Sequence, residues 1–170
     1  IRLQKRASLH NFHEPLCLLE SPFKPRRPVR GAPTAFRMVE LDGERVVFAY
    51  ADHTLPRERW QFFLYEINID GSGLTQLTFG DWDDIEPCYL PDGKIVFVSS
   101  RCKRWVQCWL TKVAVLHRCE ADGSNIRPIS ANVEHDNTPW PLPDGRVLYQ
   151  RWEYVDRSQV DYHHLWTTNP

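Results

Sequence analysis

Short runs of β-branched and aromatic residues recur along the chain, each set off by a turn dipeptide. Val46-Val-Phe48, Ile95-Val-Phe-Val98 and Val147-Leu-Tyr149 are such runs, and each follows an Asp-Gly pair. Residues of this kind suit a pleated, half-buried surface. Gly carries no Cβ penalty at positive φ, and Asp tolerates the left-handed region. The pattern therefore predicts β-hairpins, with Asp and Gly supplying the two positive-φ positions of each tight turn.

The runs belong to longer repeated phrases: Leu41-Asp-Gly-Glu-Arg-Val-Val-Phe48, Leu90-Pro-Asp-Gly-Lys-Ile-Val-Phe97 and Leu142-Pro-Asp-Gly-Arg-Val-Leu-Tyr149. Their Asp-Gly pairs begin at 42, 92 and 144, a spacing of 50 and then 52 residues. A second phrase, from Leu64 to Thr78 with Asp70-Gly-Ser72 inside it, recurs from Leu116 to Ser130 with Asp122-Gly-Ser124. A third copy opens at Leu165-Trp-Thr-Thr-Asn-Pro170 and stops where its Asp-Gly would come. A period of about 40–50 residues holding about four short strands is that of a propeller blade. The expected fold is all-β: an incomplete β-propeller of about two and a half four-stranded blades. The blades are expected near residues 38–79, 80–131 and 132–170, after an extended N-terminal arm over 1–37. One blade cannot cover its own faces. The chain therefore reads as a fragment of a longer protein, with the remainder of its own propeller or other subunits as partners.

Composition supports this and narrows the function. Thirteen prolines, eight glycines and seven tryptophans against one methionine disfavour a long-helix bundle. No stretch approaches the ~20 apolar residues of a membrane helix, so no membrane span is expected. A net charge of −1 excludes a nucleic-acid binder that works by global basicity. The charge is uneven, however. Residues 1–37 hold eight Lys/Arg and two acids, and the remainder thirteen bases and twenty acids, giving +6 against −7. Five prolines in the arm, three of them in Pro22-Phe-Lys-Pro-Arg-Arg-Pro28, exclude a helix or inner strand there. A basic arm for RNA or an anionic surface is one reading. An extended segment packed across the acidic body is the one adopted, and no nucleic-acid partner is expected.

Pro91-Asp-Gly-Lys-Ile-Val-Phe-Val-Ser-Ser100, preceded by Asp84-x-x-Pro87 and followed by Asp122-Gly-Ser-Asn125, resembles the TolB-type propeller repeat, over roughly residues 40–170. Ser100–Leu110, Glu134–Trp140, Arg151–Arg157 and His163-His-Leu-Trp166 are similar to the propeller-bearing middle domain of the hydrazine synthase alpha subunit and related planctomycete-type proteins. That resemblance implies an extracytoplasmic, oxidising compartment and a scaffold beside c-type haems, where hydrazine forms from nitric oxide and an ammonium-level nitrogen. Covalent c-haem attachment needs Cys-x-x-Cys-His, and none of the five cysteines begins such a run. Haem is therefore expected only from flanking domains, and no cofactor in this chain beyond a possible calcium. The expected function is a non-catalytic scaffold or binding module of a larger protein. The alternative is a fragment of a multihaem oxidoreductase whose loops wall the active site.

Three groups of residues could carry chemistry. Asp84 and Asp136 stand three residues before Pro87 and Pro139, in acidic loops near the central channel of the resembled fold. Such carboxylates either bind a hard cation such as calcium or cap their own turns through backbone N–H groups. Glu134 and His135 are not shared with the preceding repeat, which points to a role specific to that site. Cys102 and Cys108 have a spacing that is not that of a zinc finger. They form a disulfide across their loop, a weak metal site, or inert thiols. Arg151, Glu153 and Val155 alternate onto one face, where Arg and Glu form an ion pair. His163 and His164 face opposite ways, so only one could join Glu134 or His135 in a pocket.

Overall fold

The computed structural model describes residues 39–41, 43–52, 54–156 and 159–170. The basic arm of residues 1–37 lies outside them. Eleven strands among the described residues form three antiparallel sheets. The first holds β1 (Val39–Leu41), β2 (Arg45–Tyr50), β3 (Phe63–Asn68) and β4 (Thr75–Gln76). The second holds β5 (Asp84–Tyr89), β6 (Ile95–Ser99), β7 (Val115–Cys119) and β8 (Arg127–Pro128). The third holds β9 (Asp136–Pro141), β10 (Val147–Trp152) and β11 (His163–Thr168). Strands pair in chain order within each sheet, and the first strands touch in succession, β1 with β5 and β5 with β9. These are consecutive blades of a β-propeller. Gly43, Gly93 and Gly145 all lie between the first and second strands of their sheets, so the repeated phrase occupies the equivalent place in each blade.

The turns differ from the expected form in one respect. Gly93 and Gly145 have φ of 82° and 89°, but neither Asp92 nor Asp144 adopts positive φ. Leu90 N–H donates to Lys94 O (2.7 Å) and Gly93 N–H back to Leu90 O (2.9 Å), closing a three-residue loop. Asp92 and Asp144 instead accept the N–H of Lys94 (3.2 Å) and Arg146 (3.1 Å). This is a type I turn followed by a glycine bulge, which needs only one left-handed residue. Asp70-Gly71 and Asp122-Gly123 close the third-to-fourth strand turns with the same bonds.

Burial follows the stacking. Every residue of β6 is buried, because blades 1 and 3 cover its two faces. In β2 and β10 buried and part-exposed positions are interspersed instead. Between blades 1 and 2 lie Val47, Ala49, Leu64, Leu77, Tyr89, Ile95, Phe97 and Cys119. Between blades 2 and 3, Cys88, Leu90, Val96, Val98 and Leu116 meet Val147 and Tyr149. Removing each of the Val, Leu, Ile and Phe side chains from water contributes about 1.5–3 kcal/mol. Glu86 and Thr138 are bulged within β5 and β9, with φ of 52° and 55°, each directly before a proline that cannot donate to the ladder.

The two ends of the blades are unlike. One carries the tight Asp-Gly turns. The other carries the long segments 51–62, 100–114 and 153–162 and the blade-to-blade crossings 77–83 and 129–135.

Candidate functional site

All seven non-cysteine candidate residues gather at the long-segment end. Asp84 and Asp136 open β5 and β9, Glu134 and His135 precede β9, Arg151 lies near the end of β10 with Glu153 beyond it, and His163 opens β11. A shift of 52 residues, the second repeat spacing, maps one blade junction onto the next bond by bond. Asp84 N–H donates to Phe62 O (2.8 Å), as Asp136 N–H does to Ala114 O (2.9 Å). Phe62 N–H donates to Asp83 Oδ1 (3.2 Å), as Ala114 N–H does to His135 Nδ1 (3.1 Å). Thr78 Oγ1 accepts from Leu64 N–H, as Ser130 Oγ accepts from Leu116 N–H, both at 2.9 Å. Each crossing is thus clasped to the third strand of the blade before it.

The carboxylates of Asp84 and Asp136 are fully buried and do not cap their own turns. Asp84 accepts from Ser99 Oγ (2.6 Å) and Arg101 Nη2 (2.7 Å). Asp136 accepts from Ser130 Oγ and from Asn132 Nδ2 (3.1 Å). Burial pushes the Asp136 carboxyl above its usual range against the pull of those two donors and of Arg151 and Arg104. Arg101 and Arg151 play one part from offset positions, since their guanidiniums donate to Phe79 O (3.5 Å) and Ala131 O (3.1 Å) at the equivalent place in successive crossings. A buried pair of this kind is costly to break because the remaining charge is stranded. With their oxygens engaged by donors, both carboxylates serve as pins between strands and crossings.

Glu134 is different. Its side chain is fully buried, yet neither carboxylate oxygen has a hydrogen-bond partner. Burial raises its pKa, opposed only by the nearby backbone N–H of Gln107 in the 100–114 segment. His135 is stacked on Trp152 (5.8 Å between ring centres), and His163 stacks on Trp152 as well (6.0 Å). Accepting the Ala114 N–H fixes His135 as the neutral Nε2–H tautomer. Burial, and then the nearby His163, lower its pKa to about 4. His163 donates from Nε2 to Val160 O (3.1 Å), its Nδ1 is buried without a partner, and burial lowers its pKa.

Arg151 and Glu153 do share a side, with Nε and Oε1 at 3.7 Å, and the guanidinium also lies 4.8 Å over the Trp166 ring. His164 turns away from His163, edge-on to Tyr162 at 4.3 Å. Cys102 and Cys108 form no disulfide in this structure. Cys102 points inward, its Sγ 3.1 Å from Val113 O beside the Val106, Val113, Val115 and Trp152 cluster, whereas Cys108 is exposed on the outer part of the segment. Among the described residues no three His, Cys, Asp or Glu side chains converge to hold a metal ion.

Sequence reasoning missed Ser99, Arg101 and Asn132 as the partners of the aspartates, and Trp152 as the centre of the histidine stack. The signal for Thr78 and Ser130 was present: both end the second repeated phrase. Arg101 and Asn132 have no counterpart at matching positions and left none.

The repeated junction, copied from blade 1–2 to blade 2–3, defines a segment of β-propeller. No family model matches the chain. An uncharacterised protein of Agrobacterium fabrum is 31% identical over 93 residues, which is 54% of this chain and 29% of that protein. A TolB-type protein from Agrobacterium tumefaciens has a similar structure, with 25% identity, a TM-score of 0.57, and coverage of 72% of this chain and 40% of that one. Kuenenia stuttgartiensis hydrazine synthase superposes with a TM-score of 0.58 at 19% identity, over 74% of this chain and 22% of that one, a likeness of fold. The chain spans less than half the length of each of these proteins.

Proposed function

We propose that the chain is a non-catalytic propeller segment of a larger extracytoplasmic protein, acting as scaffold and binding module through its long-segment end. Its partner is the remainder of its own ring. One observation carries this reading. In blade 2, Cys88, Val96, Val98 and Leu116 are completely buried against blade 3. Strand register places Trp140, Leu148, Gln150 and Leu165 at the same positions of blade 3. There Trp140 is 50% and Leu165 74% exposed. The face that blade 2 offers to blade 3 is thus repeated on blade 3 itself, with no blade upon it among the described residues. The extracytoplasmic compartment rests on the TolB-like resemblance.

The test is Leu165→Glu in the whole protein and in the chain of residues 1–170. Burial of Leu165 by a further blade predicts a loss of about 2–3 kcal/mol in the whole protein. In the shorter chain the change stays within about 0.5 kcal/mol, as at an exposed site. Equal, small effects in both, read from urea midpoints, overturn the proposal.

A further inference from the structure

The segment between β6 and β7 folds into a hairpin of its own. Trp105 and Lys112 form an antiparallel bridge, Val106 N–H donates to Thr111 O (2.8 Å) and Val113 N–H to Arg104 O (2.8 Å). Its base is anchored: Val106, 5% exposed, packs with Val113, Val115 and Trp152, and Arg104 donates to Asn132 O. Its outer part is the reverse of a folded surface. Trp105, Trp109 and Leu110 are 60%, 69% and 90% exposed, Leu110 being the most exposed large hydrophobic residue among those described.

Along the segment itself the charge has one sign. Arg101, Lys103, Arg104 and Lys112 flank its apolar residues, and no acidic residue occurs between Asp92 and Glu120. Arg101 is bound to Asp84, while Lys103, Arg104 and Lys112 are exposed, Lys103 lying 4.8 Å over the Trp82 ring. This cationic collar stands on a body that is otherwise acidic. Tryptophan favours the headgroup level of a bilayer, aliphatic side chains go deeper, and Lys and Arg pair with anionic lipid.

We propose that the 103–112 hairpin is a peripheral anchor for an anionic lipid surface, with Trp109 and Leu110 entering the interface and Lys103, Arg104 and Lys112 held at the headgroups. Lipid fits better than a polypeptide or nucleic acid. The apolar groups are exposed around an open concavity of the hairpin, not in a water-excluding pocket as protein hot spots are. The most exposed of them is aliphatic and offers nothing to a stacked base.

The experiment uses the 170-residue chain with vesicles of phosphatidylcholine alone and of phosphatidylcholine mixed with phosphatidylglycerol. Binding is read by cosedimentation and insertion by tryptophan quenching from brominated lipid. The expected result is binding to the anionic vesicles only, weakened by salt, with quenching. Trp109→Ser with Leu110→Glu abolishes quenching and weakens binding by at least about tenfold, and Lys103→Glu with Lys112→Glu weakens binding comparably. These side chains are exposed, so unchanged thermal melts certify both variants. Binding that survives both double substitutions arises elsewhere on the chain, at the basic arm of residues 1–37 or the uncovered face of blade 3, and overturns the proposal. So does absence of vesicle binding, or loop-dependent binding of single-stranded RNA or an acidic peptide in its place.

Discussion

Single side chains at the long-segment end divide into those that hold blades together and those held at a cost. Asp84 is of the first kind, since its oxygens take Ser99 and Arg101 while the group is fully buried. Asp84→Ala leaves the Arg101 guanidinium stranded, and a loss of about 3–5 kcal/mol in urea denaturation is expected. A loss below about 1 kcal/mol would show that the pair is not a pin. His135 is of the second kind. Its pKa of about 4 in the folded state lies below the ordinary 6.5, so its neutral form is the folded one. The stability linked to it is complete above about pH 6.5 and is lost as pH falls through 4, about 3 kcal/mol over that span. Glu134, with its raised pKa, acts in the opposite direction as pH falls. The comparison is therefore wild type against His135→Asn at pH 7 and pH 5, with the variant showing the flatter acid limb. Parallel limbs would remove His135 from the account. The equivalence of Asp84 and Asp136 was legible in the repeat, whereas their partners Ser99, Arg101 and Asn132 were not. Ser99 comes from a neighbouring strand, Arg101 from the 3-10 turn that follows it and Asn132 from a blade-to-blade crossing, and only tertiary folding brings them together.

At the scale of elements, the hairpins were legible because Asp-Gly followed by a β-branched run has few other uses. The division of labour within each turn was not, because both residues tolerate positive φ and only the bond pattern shows that Gly alone adopts it. Context then separates turns that look identical in sequence. A Cβ at Gly93 would meet nothing within 4 Å, whereas one at Gly123 would lie 2.1 Å from Leu77 O in blade 1. Gly93→Ala carries only the left-handed penalty, about 1–2 kcal/mol. Gly123→Ala adds a clash with backbone that cannot yield without parting blades 1 and 2, and its loss is expected to exceed that of Gly93→Ala clearly. Urea midpoints of the two variants decide this, and equal losses would mean the 120–124 turn does not sit against blade 1. The bulges at Glu86 and Thr138 left a fainter trace, the proline that follows each of them.

For the whole molecule, the period of 50 and 52 residues carried the architecture, because a repeat announces a unit that only its neighbours can bury. It could not say how unequally the three blades are buried. Among the described residues the main contacts between sheets join adjacent ones, so stability is close to a sum of blade and junction contributions. Blade 2 has two junctions, and its β6 is buried throughout, while among the described residues β11 pairs with β10 alone and carries exposed Leu165 and Trp166. Amide exchange should therefore be slowest at Val96, Phe97 and Val98, intermediate in β2 and β10, and fastest in β4 and β11, where local opening needs no junction to break. Phe97→Ala, which empties the blade 1–2 junction at a cost of about 3–5 kcal/mol, should bring β2 and β3 down to the exchange level of β11. Protection at the blade 2–3 residues Val147 and Tyr149 should fall less. Uniform exchange across the three sheets, or equal loss at both junctions, would mean that the blades fold as one cooperative block and that burial at each junction does not set local stability.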